Sequence, residues 1–159
     1  MKLSWSPLLL LAATILQPIT AQVTQGSYII RSDRFPSSVL ASPPSIALAT
    51  SPAGWTQAQL PQPQETWTLN RFEIGWAISN KATGKYLSLV NNHIALDTKP
   101  FSWLVLEGPP LSQKGTFRIQ DPRSRSAALA LNDPSNGFLL SLEPYTEERT
   151  QHWSLQPVQ

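Results

Sequence analysis

From about residue 24 onward the apolar residues recur every second position, not every three or four. Successive side chains of a β-strand point to opposite faces, so apolar residues two positions apart mark a strand with one buried face. Two kinds of strand recur. The first opens at a glycine and places an aromatic two positions before an isoleucine: Gly26-Ser27-Tyr28-Ile29-Ile30, Gly75-Trp76-Ala77-Ile78 and Gly115-Thr116-Phe117-Arg118-Ile119. The second places a Trp two positions before Leu or Val: Thr66-Trp67-Thr68-Leu69, Ser102-Trp103-Leu104-Val105 and Gln151-His152-Trp153-Ser154-Leu155. Opening and closing strands alternate and divide the chain into three units, about 24–70, 73–107 and 114–158, whose opening aromatics lie 48 and 41 residues apart.

Each unit also holds two shorter apolar runs around a turn. In the second unit these are Lys85–Leu89 and His93–Leu96, joined at Val90-Asn91-Asn92; in the third, Ala128–Leu131 and Phe138–Leu142, joined at Asn132–Gly137. Asn-Gly before a strand is a strong hairpin signal because both residues accept a positive φ. In the first unit the corresponding runs are Ser38–Leu40 and Ser45–Leu48, flanking Pro43-Pro44. With 15 Pro and 7 Gly in the sequence, no helical periodicity is sustained after residue 21. Ser51–Glu65 reads as an irregular loop and Glu107–Lys114 as the connector between units two and three. Four short strands in each of three units predict an all-β fold of about twelve strands, and the triplication favours a threefold barrel.

The start of the chain stands apart from this pattern. Met1-Lys2, the apolar run Leu8–Leu16 and the small residue Ala21 before Gln22 read as a secretory signal peptide over residues 1–21. The apolar run falls short of the roughly 18 residues that a membrane-spanning helix needs. The expectation is a secreted, extracellular protein of one domain over 22–159, without membrane insertion. Removing residues 1–21 leaves 11 Lys and Arg against 10 Asp and Glu. This near-balance gives no electrostatic footprint for nucleic acid. Cys is absent, so the fold rests on burial and hydrogen bonding, with neither disulfide nor thiol chemistry. No nucleophile elbow or His-Glu-x-x-His motif occurs, and His93 and His152 fall in different units. The reading is of a non-enzyme that needs no cofactor or metal.

The Gly-x-aromatic-x-Ile openings, the tip Thr83-Gly84-Lys85-Tyr86-Leu87 and the Gln-x-Trp closing run at Gln151-His152-Trp153 resemble the ricin B-type lectins, particularly their small secreted fungal members. The resemblance covers roughly residues 24–158. It implies a β-trefoil: three four-stranded repeats forming a six-stranded barrel capped by three hairpins. It also implies binding of carbohydrate or glycoconjugate in up to three shallow pockets, one per unit. In galactose-binding members an Asp sits on the first inner strand; the equivalent positions here hold Ala41, Ser88 and Ala130, so galactose sites of that type are expected to be degenerate. The stacking aromatic of unit three falls at about Glu143. The closing-motif Gln151 is mostly architectural in the family.

The remaining polar groups define the candidate ligand-binding residues. Unit three offers Asn132, Asp133 and Asn136 in its turn, with Tyr145, Gln151 and His152 expected nearby. Unit two offers Asn91, Asn92 and Tyr86, beside His93 and Asp97, and unit one offers Trp55, with Asp33 and Arg34. A carboxylate or amide takes hydrogen bonds from vicinal hydroxyls, and an aromatic face accepts the C–H side of a sugar ring. The alternative is a protease inhibitor of the same fold, acting through Ser51–Glu65 and Glu107–Lys114 with Lys114 as the inserted side chain.

Overall fold

The computed structural model describes residues 22–42, 53–56, 63–109, 115–132 and 140–159. The alternating pattern becomes twelve strands: β1 Gly26–Ser32, β2 Ser38–Ala41, β3 Ala53–Thr56, β4 Thr66–Phe72, β5 Gly75–Asn80, β6 Tyr86–Val90, β7 His93–Asp97, β8 Leu104–Glu107, β9 Thr116–Gln120, β10 Ala127–Leu131, β11 Leu140–Pro144 and β12 Trp153–Pro157. Helical turns among the described residues are two short 3-10 segments, Pro63–Glu65 and Arg149–Gln151.

Strand pairing runs β1–β4, β4–β5, β8–β9, β9–β12 and β12–β1, all antiparallel. A bridge between Trp76 and Trp103 joins β5 to the start of β8, and the circuit of six strands closes. The other six strands form the hairpins β2–β3, β6–β7 and β10–β11. The molecule is a β-trefoil, as its sequence predicts. Among the described residues closure gives each barrel strand a neighbour on both sides, which limits the sites where another strand would add.

The two repeated sequence motifs prove to be direct cross-strand partners. Tyr28 faces Trp67, Trp76 faces Trp103 and Phe117 faces Trp153. In each unit the indole donates to a buried carbonyl of the hairpin's first strand: Trp67 Nε1 to Leu40 O at 2.8 Å, Trp103 Nε1 to Leu87 O at 2.8 Å and Trp153 Nε1 to Leu129 O at 3.0 Å. These Trp side chains are fully buried beside Ile30, Ile78, Ile119 and Leu69. Burying each contributes about 2–3 kcal/mol, and the indole bond avoids leaving an N–H unsatisfied in the core.

A second threefold device starts each hairpin. Ser32 and Asn80 end the first strands of their units and Asp121 directly follows β9; all three are buried, and each turns a side-chain oxygen onto a backbone N–H ahead. Ser32 Oγ accepts from Phe35, Asn80 Oδ1 from Ala82 and Thr83, and Asp121 Oδ1 from Arg123. Short side chains with an acceptor favour such turns over a continued strand.

Two return strands differ from their sequence expectation. The return strand of the first hairpin is Ala53–Thr56, whose Trp55 pairs with Val39, where Ser45–Leu48 was expected; that run lies outside the described residues. The apolar run was the stronger local signal, but strand pairing belongs to whichever segment the closed barrel brings alongside. In unit three the return strand is Leu140–Pro144, which runs two residues past the expected end at Leu142; the expected start at Phe138 lies outside the described residues.

Candidate functional site

The indole bonds to Leu40, Leu87 and Leu129 set the three hairpins in one frame. Each next residue is then equivalent: Ala41, Ser88 and Ala130, the positions where the family resemblance placed the galactose-binding acid. All three are buried. The Ser88 hydroxyl donates to Lys99 O at 2.9 Å, which ties it to the link between β7 and β8.

Pairing across each hairpin identifies what stands beside these positions. Ala41 lies opposite Ala53, Ser88 opposite Ala95 and Ala130 opposite Ser141. Two residues away, Val39 lies opposite Trp55, Tyr86 opposite Asp97 and Ala128 opposite Glu143. Trp55, Asp97 and Glu143 therefore occupy the same register position in the three units, the one at which a stacking aromatic is expected. Unit one places an aromatic there; the other two place a carboxylate.

The two carboxylates are used differently. Asp97 Oδ1 accepts the backbone N–H of Thr98 at 2.6 Å and of Lys99 at 3.3 Å, and the Thr98 hydroxyl at 3.3 Å. The amides of Lys99 and then Thr98 hold its carboxyl below the ordinary range. This oxygen shapes the turn after β7. In unit three, Glu143 Oε1 accepts Asn132 Nδ2 at 2.8 Å and Ser141 Oγ at 2.6 Å, and Asn132 Nδ2 also reaches Ser141 Oγ at 3.0 Å. Asn132, Ser141 and Glu143 follow the strand alternation of Ala130 and share its face of the hairpin. All three are half-buried. The triad holds the carboxylate in one orientation, and among the described residues no bond engages Glu143 Oε2 or Asn132 Oδ1. Two acceptor oxygens on a partly exposed face are suited to adjacent hydroxyl donors.

The other sequence candidates fall in several places. Asp133 and Asn136 lie outside the described residues, and Trp55 is located by its strand pairing. Asn91 and Asn92 are exposed and adopt φ of 50° and 63°; they make the left-handed turn between β6 and β7. Tyr86 is half-buried on the face of Ser88. Gln151 is buried, and both ends of its amide serve the turn before β12: Oε1 accepts Thr146 N at 2.9 Å and Nε2 donates to Pro144 O at 2.7 Å. Tyr145 has its hydroxyl 3.2 Å from His152 Nε2 and its ring under the Arg118 guanidinium at 4.8 Å. The carboxylate of Asp33 bonds Arg149 Nε at 2.9 Å, joining the first unit to the third.

Ser141 and Glu143 were not among the sequence candidates. The signal that could have found them is the pairing of Ala130 with Ser141, which needs the hairpin register and not the residue types alone. Among the described residues no group of three His, Cys, Asp or Glu side chains could hold a metal ion.

No family model matches the sequence, and no curated protein is detectably similar to it in sequence. Solved structures are similar in fold. The Macrolepiota procera ricin B-like lectin, in complex with lactose, superposes with a TM-score of 0.74 at 20% identity over 86% of this chain and 99% of its own. The Rhizoctonia solani agglutinin gives 0.73 at 17% identity over 86% and 98%. The Polyporus squamosus lectin, bound to a human-type influenza-binding epitope, gives 0.64 at 14% identity over 86% and 50%. The structural neighbours are thus ricin B-like β-trefoil lectins, and at these identities the likeness establishes the fold.

Proposed function

We propose that this protein is a secreted, non-catalytic carbohydrate-binding β-trefoil, exported by residues 1–21, and that its sugar site is the Asn132–Ser141–Glu143 face of the third hairpin. The observation that supports this most is the buttressed carboxylate: Glu143 is held by two donors through one oxygen, leaving its second oxygen and the amide oxygen of Asn132 without a partner among the described residues. Such a pair accepts hydrogen bonds from vicinal hydroxyls at little cost in side-chain ordering, because the triad is already assembled. The lectin neighbours support the ligand class. With Ala41, Ser88 and Ala130 at the inner-strand positions, the galactose-type acid is missing, and recognition falls to the carboxylate across the hairpin. The protease-inhibitor alternative draws no support from the solved structures compared above.

The test is a glycan array followed by titration calorimetry on the best sugar. Glu143→Gln is expected to weaken binding at least about tenfold, since a hydrogen bond to a charged group contributes about 1.5–3 kcal/mol. Asp97→Asn is expected to leave affinity unchanged. Absence of binding to every sugar at millimolar concentration, or equal affinity of the wild type and Glu143→Gln, would remove this reading.

A further inference from the structure

A second concave feature, which shares no lining residue with the hairpin triad, lies on the barrel wall where unit two meets unit three. It is a recess of about 460 Å³ lined by Leu104 and Leu106 of β8, Arg118 and Gln120 of β9, Arg125 and Tyr145. Leu104 pairs with Gln120 and Leu106 with Arg118, so the four strand residues share one face of the β8–β9 pair, two apolar and two polar side chains, with Gln120 buried at its base. Two guanidinium groups line the recess, and among its described residues none is acidic.

Arg118 is held in an unusual state for a cation. Its guanidinium sits over the Tyr145 ring at 4.8 Å, and Nε is buried without a hydrogen-bond partner. The ion pairs among the described residues involve Arg123 and Arg149 instead. A half-buried guanidinium that joins no ion pair among the described residues favours an incoming oxyanion over water, because a planar fork and a carboxylate match in geometry as well as charge. Gln120 Nε2 donates to Arg125 O at 3.2 Å, which steadies the loop that carries the second cation. The volume suits a ligand of one or two rings.

We propose that this recess is a second binding site, specific for a sugar of the uronic-acid type, whose carboxylate bonds the Arg118 and Arg125 guanidinium groups while its carbon face rests on Leu104 and Leu106. The choice of a saccharide acid rests on the carbohydrate reading above; the anion preference rests on the recess alone. The recess shares no lining residue with the Glu143 triad, whose negative charge would repel the same ligand.

The experiment is an NMR titration of ¹⁵N-labelled protein at low salt with D-glucuronate, D-glucose and inorganic sulfate as separate probes. Glucuronate is expected to shift the amide signals of residues 104–106 and 118–120, and Arg118→Gln to weaken it at least about tenfold, the effect of losing one charge-assisted bond. Arg125→Gln, at an exposed position, gives the same direction of change without touching the barrel wall. Glu143→Gln leaves glucuronate binding intact even if it abolishes neutral-sugar binding, so the two sites fail or succeed independently. Equal response to glucose would overturn the carboxylate contact, and equal response to sulfate the sugar contact. Loss of glucuronate binding in Glu143→Gln but not in Arg118→Gln would move the ligand to the hairpin, and no shift with any probe would remove the site.

Discussion

His152 stands where the first two units carry Thr66 and Ser102, and all three side chains are buried. Its Nε2 meets the Tyr145 hydroxyl, while Nδ1 has no partner. Burial, the largest influence, disfavours the imidazolium and lowers its pKa below the usual 6.5; Asp33 partly opposes this and Arg118 adds to it. The unfolded chain therefore binds a proton at a pH where the folded protein does not. Stability from this group is complete above 6.5 and declines as pH falls from 6.5 toward the folded value. Melting temperature is expected to drop between about pH 7 and pH 5, and His152→Gln to flatten that part of the profile; superimposable profiles would contradict the assignment. Trp153 lies one residue on, where the argument is packing. Trp153→Ala is expected to cost about 3–5 kcal/mol, from the lost ring and the orphaned Leu129 carbonyl, as a lowered midpoint in urea unfolding.

Among the elements, the turns and close contacts were partly legible. Asn91-Asn92 was read as a turn and as a ligand group together, and its backbone places the asparagines in the left-handed region. Asn92→Val is expected to cost about 1–2 kcal/mol through strain alone, with sugar binding unchanged. Gly75 was seen as the opening of a strand, but the reason for glycine is a neighbour distant in sequence: an added Cβ would overlap the Trp103 carbonyl oxygen. Its neighbour Trp76 exchanges backbone hydrogen bonds with Trp103 at 2.8 and 2.9 Å. Gly75→Ala is expected to destabilise by about 3 kcal/mol, readable by thermal denaturation. The first hairpin shows the limit of local reading: Ser45–Leu48 has the better apolar pattern, yet Ala53–Thr56 pairs with β2.

Over the whole molecule, the closed circuit makes the three units interdependent. The pairing of β1 with β12 joins the first unit to the third. Arg149 reinforces it by bonding Asp33 Oδ2 at 2.9 Å and Asp33 O at 2.8 Å. Because the guanidinium is 52% exposed and screened by solvent, Arg149→Ala is expected to leave the melting temperature almost unchanged. The Trp, Ile and Leu side chains of all units form a shared core, so unfolding is expected to be one transition. Tryptophan fluorescence and far-UV circular dichroism in urea should give the same midpoint; two separated midpoints would mean that a unit unfolds alone.

The amino-acid order alone carried the class of the fold, its threefold division and its aromatic core, because strand period and repeated Trp spacing are local properties written directly in residue type. It also carried the absence of an acid at positions 41, 88 and 130. The binding face was another matter. Glu143 gains meaning from Asn132 and Ser141 across a hairpin, and Arg118 from a Tyr that arrives 27 positions later in the chain. Such groupings depend on register and barrel closure, which residue types constrain only weakly, since the same alternation fits several pairings until the core chooses one.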